Sequence, residues 1–233
     1  RNVIADKFRL TSGNIRRAAQ VAQIHAGLAG RARFDPSHVL EATRALDHHG
    51  LDTLARRVSI AGDLRRLSVN ETTRQELEHL ARRCRHRESL PGTLEDSPSG
   101  SLNCGVRALF SGPTGTGKTL AAGLLAGTLQ KDLYRLDIAS VVNKFIGETE
   151  KNLQRLFDCA EELDVILLLD EGDALLTRRT DVHSANDRYA NLETNFLLQR
   201  LESFQGILII TTNARDRIDP AFERRMDVVV TFG

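Results

Sequence analysis

Long apolar runs are missing from this sequence. The longest, Val165–Leu169 and Ile207–Ile210, fall far short of the roughly 20 residues that span a bilayer. No signal-peptide pattern opens the chain. Cysteine is scarce: Cys84, Cys104 and Cys159 are odd in number, isolated and without C-x-x-C spacing. That argues against a disulfide framework and fits a reduced, cytoplasmic setting. His79, Cys84 and His86 lie near one another in sequence but match no common zinc spacing, so surface or packing roles are expected of them. Tryptophan is absent and aromatics amount to 5%. No basic–aromatic platform for stacking bases is visible, and neither nucleic acid nor membrane is expected as a partner.

What is present is charge, unevenly placed. The net charge is +1, but residues 1–106 hold 17 Lys/Arg against 12 Asp/Glu, a net of +5, and residues 107–233 hold 15 against 19, a net of −4. Such a split suggests two parts and would let the basic end of one copy meet the acidic end of another; a solvated basic helix face accounts for it equally well.

Residues 8–90 read as helical. Ile15, Ala18, Ala19, Ala22 and Ala26 recur at helical intervals, and Asp35-Pro36 opens a second helix over Ser37–Leu46 with a cap and an N1 proline. Leu51–Val58 reads as one more short helix. Asn70–Arg87 sets Leu77, Leu80, Ala81 and Cys84 on one stripe. Residues 89–105 are rich in Pro, Gly and Ser and read as a linker or long loop. Beyond them the texture alternates. Val106–Ser111, Leu133–Ile138, Val165–Leu169, Ile207–Thr211 and Val228–Phe232 are strand candidates, with helices near Lys118–Leu129, Glu148–Glu162 and Asn186–Ser203. Apolar strands alternating with helices imply an α/β fold whose parallel sheet is covered on both faces.

Gly112-Pro113-Thr114-Gly115-Thr116-Gly117-Lys118-Thr119 fits G-x-x-x-x-G-K-[ST]. Glycines let backbone N–H groups converge on phosphates, and the helix starting at Lys118 points its positive end there. Lys118 would meet the β- and γ-phosphates of ATP, and the Thr119 hydroxyl would ligate Mg²⁺. With Leu120 after it, this loop is the expected nucleotide-binding set. Val165–Leu169 then runs into Asp170-Glu171. A fully apolar strand is buried, so its terminal carboxylates emerge at the sheet edge where open α/β folds bind ligands. Asp170 can hold the metal and Glu171 can take a proton from the attacking water.

Together these residues carry a resemblance. Val106–Gly233 is similar to the large subdomain of an AAA+ ATPase, a ring-forming P-loop motor. Asp170-Glu171-Gly172-Asp173 resembles the family's second acidic motif, with Gly172 where alanine is more usual. Ile207–Asn213 resembles the sensor-1 strand, which implies that Asn213 orients the lytic water or touches the γ-phosphate. Asp219–Asp227 looks like the arginine-finger box, implying that Arg224 and Arg225 reach a neighbouring subunit's nucleotide. Lys144-Phe145-Ile146-Gly147 resembles an aromatic pore loop that grips polypeptide. Arg188–Glu202 is similar to a segment of bacterial AAA+ proteins, some associated with contractile injection systems. The resemblance implies a five-stranded parallel P-loop sheet flanked by helices, preceded here by an all-α N-terminal region. It also implies a homo-oligomeric ring, typically a hexamer, with polypeptide as client.

Three parts are thus expected: a helical region over 1–88, a linker over 89–105 and a large ATPase subdomain over 106–233. Phe8–Ala19 resembles a helix of the small lid that follows an AAA+ large subdomain, and a lid is expected beyond Gly233. Both features suggest a piece of a longer, two-module protein. Protein remodelling is the favoured activity. A nucleotide-gated scaffold with little turnover and a nucleic-acid motor or loader are the alternatives.

Overall fold

The computed structural model describes residues 51–52, 54–87, 103–137, 149–173, 198–214 and 218–233, with isolated positions 16, 19, 20, 23, 27 and 196. Its frame is one sheet. The strands are β1 (Arg56–Val58), β2 (Val106–Ser111), β3 (Leu133–Asp137), β4 (Ile166–Asp170), β5 (Ile207–Thr212) and β6 (Val228–Thr231). They are ordered β1-β3-β4-β5-β2-β6. The α-helices whose bounds lie among the described residues are α1 (Glu71–His86), α2 (Lys118–Leu129), α3 (Thr149–Glu162) and the one-turn α4 (Pro220–Glu223).

The last five strands run parallel, as expected of apolar strands alternating with helices. The sheet is nevertheless mixed and six-stranded, which corrects the expectation of five parallel strands. β1 pairs antiparallel with β3, placing Arg56 opposite Arg135 and Val58 opposite Leu133. The reading of Leu51–Val58 as one helix, within an all-α N-terminal region, is corrected with it. Only Leu51 and Asp52 are described there as helical. Three residues are too few to show an alternation, so an unpaired backbone edge on β3 decided the conformation.

Two apolar layers cover the sheet. On one face Tyr134, Leu136, Leu167, Leu169, Leu208 and Ile210 pack with Leu153, Leu156 and Phe157 of α3. On the other, Leu133, Ile166, Leu168, Ile207 and Ile209 pack with α2 and with Leu77, Leu80, Ala81 and Cys84 of α1. Burial pushes the Cys84 thiol up to about 12, so this cysteine behaves as a small core hydrophobe. α2 buries Ala121, Ala122, Leu124, Leu125 and Ala126, as a helix enclosed between other elements does. Close approach is possible at Gly127, where a Cβ would lie 2.2 Å from the Gly62 carbonyl oxygen.

Polar contacts fasten α1 to the sheet along its length. The Asn70 side chain caps its first turn by accepting from Thr73 N at 2.8 Å, and the Thr73 hydroxyl donates to the Thr231 carbonyl at 2.6 Å. Arg83 pairs with Asp227 at 2.7 Å. The C-cap residue Arg87 pairs with Asp164, which also holds Lys131. Residues 89–102 of the linker expected at 89–105 lie outside the described residues.

Side-chain exposure of Arg87 is 6% and of Asp164 5%, so neither charge has water to fall back on. Asp164 has a φ of 52°, a conformation asparagine tolerates. Asp164→Asn should therefore report charge loss rather than backbone strain. Urea unfolding should show a loss of about 3 kcal/mol, against no more than about 0.5 kcal/mol for Glu202→Gln in the exposed pair with Arg225.

Candidate active site

The phosphate loop follows β2 directly. Gly112 has a φ of 152°, and a Cβ there would lie 2.2 Å from the Phe232 carbonyl oxygen. Any other residue would push the loop away from the end of β6. Gly115 and Gly117 have φ values of 84° and 93°. The Gly117 N-cap offers α2 no side-chain cap, which leaves the first amides of the helix available to an anion.

Lys118 is buried at 7% exposure. Its ammonium donates to the carbonyls of Gly112 at 2.6 Å and Pro113 at 2.8 Å, and to Asn213 Oδ1 at 2.9 Å. Desolvation lowers its pKa, with Asp170 and Asp173 opposing the fall. The charge is therefore held inside the loop with acceptors it can exchange for phosphate oxygens.

β4 delivers the carboxylates. Strand pairing sets Leu169 opposite Ile210, so Asp170 emerges level with Thr211. The Thr211 hydroxyl donates to Asp170 Oδ1 and itself accepts from Glu171 N at 3.0 Å. Thr119 Oγ1 stands 3.4 Å from both Asp170 oxygens. Two hard oxygen donors so close, beside a loop shaped for phosphate, fit a magnesium ion that keeps most of its water. Thr119 and Asp170 would hold it, and bound there it would neutralise phosphate charge. Glu171 is exposed and has a φ of 56°. A left-handed glutamate is costly and persists only where the surrounding structure holds it. The neighbouring Gly172 amide donates to the Thr211 carbonyl at 2.9 Å, which fixes the turn.

Asp173, the fourth residue of the acidic motif, was given no role by the sequence reading. It accepts from the Thr212 hydroxyl and from the Asn213 amide at 3.2 Å, pinning the end of β5 so that the Asn213 side chain faces Lys118. Arg135 on β3 was missed altogether: its Nε lies 2.8 Å from Asp170 Oδ2. A charge two residues before the end of a short apolar strand was the available signal.

Other expected residues fall elsewhere. Leu120, in the first turn of α2, is 45% exposed and large, an apolar contact beside the loop. Arg224 and Arg225 do not join this cluster. Asp227 just after them donates its amide to the Arg107 carbonyl at 2.8 Å, and Arg107 lies five residues before Gly112 on β2. That separation is roughly 17 Å along a strand. Arg224 is exposed, whereas Arg225 Nε donates to Glu202 Oε1 at 2.6 Å. Lys144, Phe145, Ile146 and Gly147 lie outside the described residues.

Comparison with known proteins bears on this geometry. The model of the ATPase family associated with various cellular activities (AAA) matches residues 108–233, just over half of the chain. The chain belongs to the AAA ATPase family. It is 35% identical over 128 residues to an uncharacterized AAA family ATPase, y4kL, of Sinorhizobium fredii, covering 54% of this chain and 38% of that one. It is 37% identical over 129 residues to the proteasome-activating nucleotidase of Aeropyrum pernix, covering 52% and 32%. Cell division protein C of Sulfolobus acidocaldarius is 36% identical over 126 residues, covering 50% and 34%. This AAA chain thus spans about a third of the length of the curated relatives it matches. Among its described residues no helix is long and apolar enough to cross a membrane.

The Asp173 contacts generate a test. Asp173→Ala should lower ATP turnover by roughly 10- to 100-fold, because Asn213 loses its fixed direction, while nucleotide affinity measured by equilibrium dialysis does not weaken, because a carboxylate acting on Lys118 is removed.

Proposed function

We propose that this chain binds Mg-ATP and hydrolyses it, completing its active site with arginines from a neighbouring copy. The observation that carries the reading is the meeting of Lys118, Thr119, Asp170 and Asn213 at one edge of the sheet, with Glu171 beside them. Lys118 and the loop amides bind and orient the phosphates. Glu171 accepts the proton of the attacking water, and Asn213 directs that water. The exposed Leu120 offers apolar surface for the base or sugar.

The position of the arginine pair supports a trans arrangement. Asp227, bonded to Arg107 roughly 17 Å along β2 from Gly112, holds the turn after the arginine pair at the far end of that strand, which supports reading Arg224 and Arg225 as serving a neighbour's nucleotide. Of the two, Arg224 projects into solvent and Arg225 is held by Glu202, which makes Arg224 the principal finger. A closed ring, with six copies as the expected number, satisfies every such site.

Polypeptide remodelling is the proposed use of the hydrolysis. Its support is the likeness to a protein named proteasome-activating nucleotidase and the sequence of Lys144–Gly147. The cytoplasm is the proposed compartment.

Steady-state ATP hydrolysis followed against protein concentration tests the reading. Specific activity should rise with concentration, vanish in Glu171→Gln, and fall about 1,000-fold in Arg224→Ala. Mixing Glu171→Gln with Arg224→Ala chains should restore part of it, because some neighbours then pair an intact Glu171 with an intact Arg224. Activity independent of concentration, with no recovery on mixing, would rule out the trans site. An added unfolded polypeptide should stimulate turnover; indifference to it would leave the ATPase standing and remove the remodelling role.

A further inference from the structure

We propose that Arg135 is a built-in competitor of the magnesium ion for Asp170, so that metal capture and release of the Asp170–Arg135 pair are a single event. The inference rests on the nucleotide-site reading above and adds a positioning residue to it.

Both oxygens of Asp170 are engaged by the protein. Oδ1 accepts from the Thr211 hydroxyl, and Oδ2 lies 2.8 Å from Arg135 Nε. The Thr119 hydroxyl is 3.4 Å from each. β3 and β4 pair with Arg135 opposite Leu168 and Asp137 opposite Asp170. Residues two apart share a face of a sheet, so Arg135 and Asp170 project toward the same side, the side on which α2 packs. The guanidinium reaches forward to the carboxylate from one pleat behind. This contact follows from strand register and not from a mobile loop.

The two partners differ in their hold. The Asp170 side chain is 9% exposed and that of Arg135 43%. A buried carboxylate needs a cationic or hydrogen-bonding partner at all times. A half-exposed arginine can move its head into water at little cost. A divalent ion placed between Thr119 and Asp170 would meet a like charge a few ångströms away. Arg135 thus supplies Asp170 with a partner when metal is not bound, and it raises the metal concentration at which the carboxylate is taken over. The site then favours magnesium that arrives with the triphosphate, whose own charge helps to displace the arginine.

The test is the metal dependence of binding, not turnover. The full chain is titrated with a fluorescent ATP analogue in EDTA and at graded Mg²⁺, as the parent, Arg135→Gln and Arg135→Lys. Arg135→Gln should lower the Mg²⁺ concentration for half-maximal tightening by about tenfold, read as the midpoint of each variant's own titration relative to its affinity in EDTA. Arg135→Lys keeps the charge without the planar fork and should shift the midpoint in the same direction but less. It stands in if Arg135→Gln fails to fold. Midpoints equal to the parent's overturn the proposal and leave Arg135 a structural ion pair. A midpoint that rises shows Arg135 aiding the metal by holding Asp170, and also overturns it. A second arm needs no nucleotide: Mn²⁺ binding followed by water-proton relaxation should tighten in Arg135→Gln, and an unchanged Kd is decisive against competition. A parent that binds Mn²⁺ but no analogue sinks the nucleotide reading alone.

Discussion

The register of three parallel strands is the constraint on which the site depends. β5 lies between β2 and β4 and is paired to both, with Ile210 opposite Leu109 on one side and Leu169 on the other. The phosphate loop, the acidic pair and the Thr-Thr-Asn segment therefore leave the sheet at one level. Side chains alternate along a strand, so a slip of one residue would turn Asp170 from the α2 face into the opposite core. Burial prevents the slip: all five residues of β4 and all six of β5 are buried, and the two apolar layers leave no polar face to trade. The ladder even continues past the strands, with Gly112 N donating to the Thr212 carbonyl at 3.3 Å.

On that frame the charged groups hold one another. Lys118 faces Asn213, Asn213 is fixed by Asp173, and Asp170 is shared by Thr211, Thr119 and Arg135. Asn213 and Asp170 are oriented by Asp173 and Thr211, residues with no proposed chemical part, and such preorganisation avoids reorganisation during reaction. Glu171 is the exception: its side chain is exposed and its backbone sits in the left-handed region. Holding a glutamate there costs on the order of 1 kcal/mol or more. The turn is kept because the Glu171 and Gly172 amides are both spent on Thr211. A side chain so presented is free to meet water, as a general base must.

How much of this could be read in the sequence follows from distance along the chain. Gly112–Thr119, Asp170-Glu171 and the buried strands were legible because their chemistry needs neighbouring residues in fixed order, or a run whose burial shows directly. The bounds of β2 and α2 came out as expected, and those of β3, β4, β5 and β6 within one or two residues. The parts that escaped are made across the chain. β1 is a strand only because β3 offers an open edge 75 residues later, where Arg57 also reaches Asp132 at 2.8 Å. Arg135 meets Asp170, and Asp227 meets Arg83 and Arg107, through pairings that no local pattern encodes. The stripe on α1 was legible in the sequence, but the sheet surface it covers was not.

The Asp227 cluster shows why one chain is half of the proposed machine. Its carboxylate takes Arg107 N at 2.9 Å, Arg107 Nε at 3.0 Å and Arg83 at 2.7 Å. This locks the turn carrying Arg224 to the amino end of β2, whose carboxyl end carries Gly112. β6 runs alongside and closes on the loop, with Phe232 N donating to the Ser111 carbonyl at 2.7 Å and its ring 5.3 Å from that of Phe110. The β2–β6 pair is thus a rigid strut with the chain's own phosphate site at one end and the proposed finger at the other. In a ring, each strut would bridge two nucleotides, its own and its neighbour's. β2 is paired on both sides and mostly buried, and β6 is paired to it along four residues, which ties the positions of the two ends together. Subunit placement would then be felt at both sites through backbone geometry alone, without any moving loop.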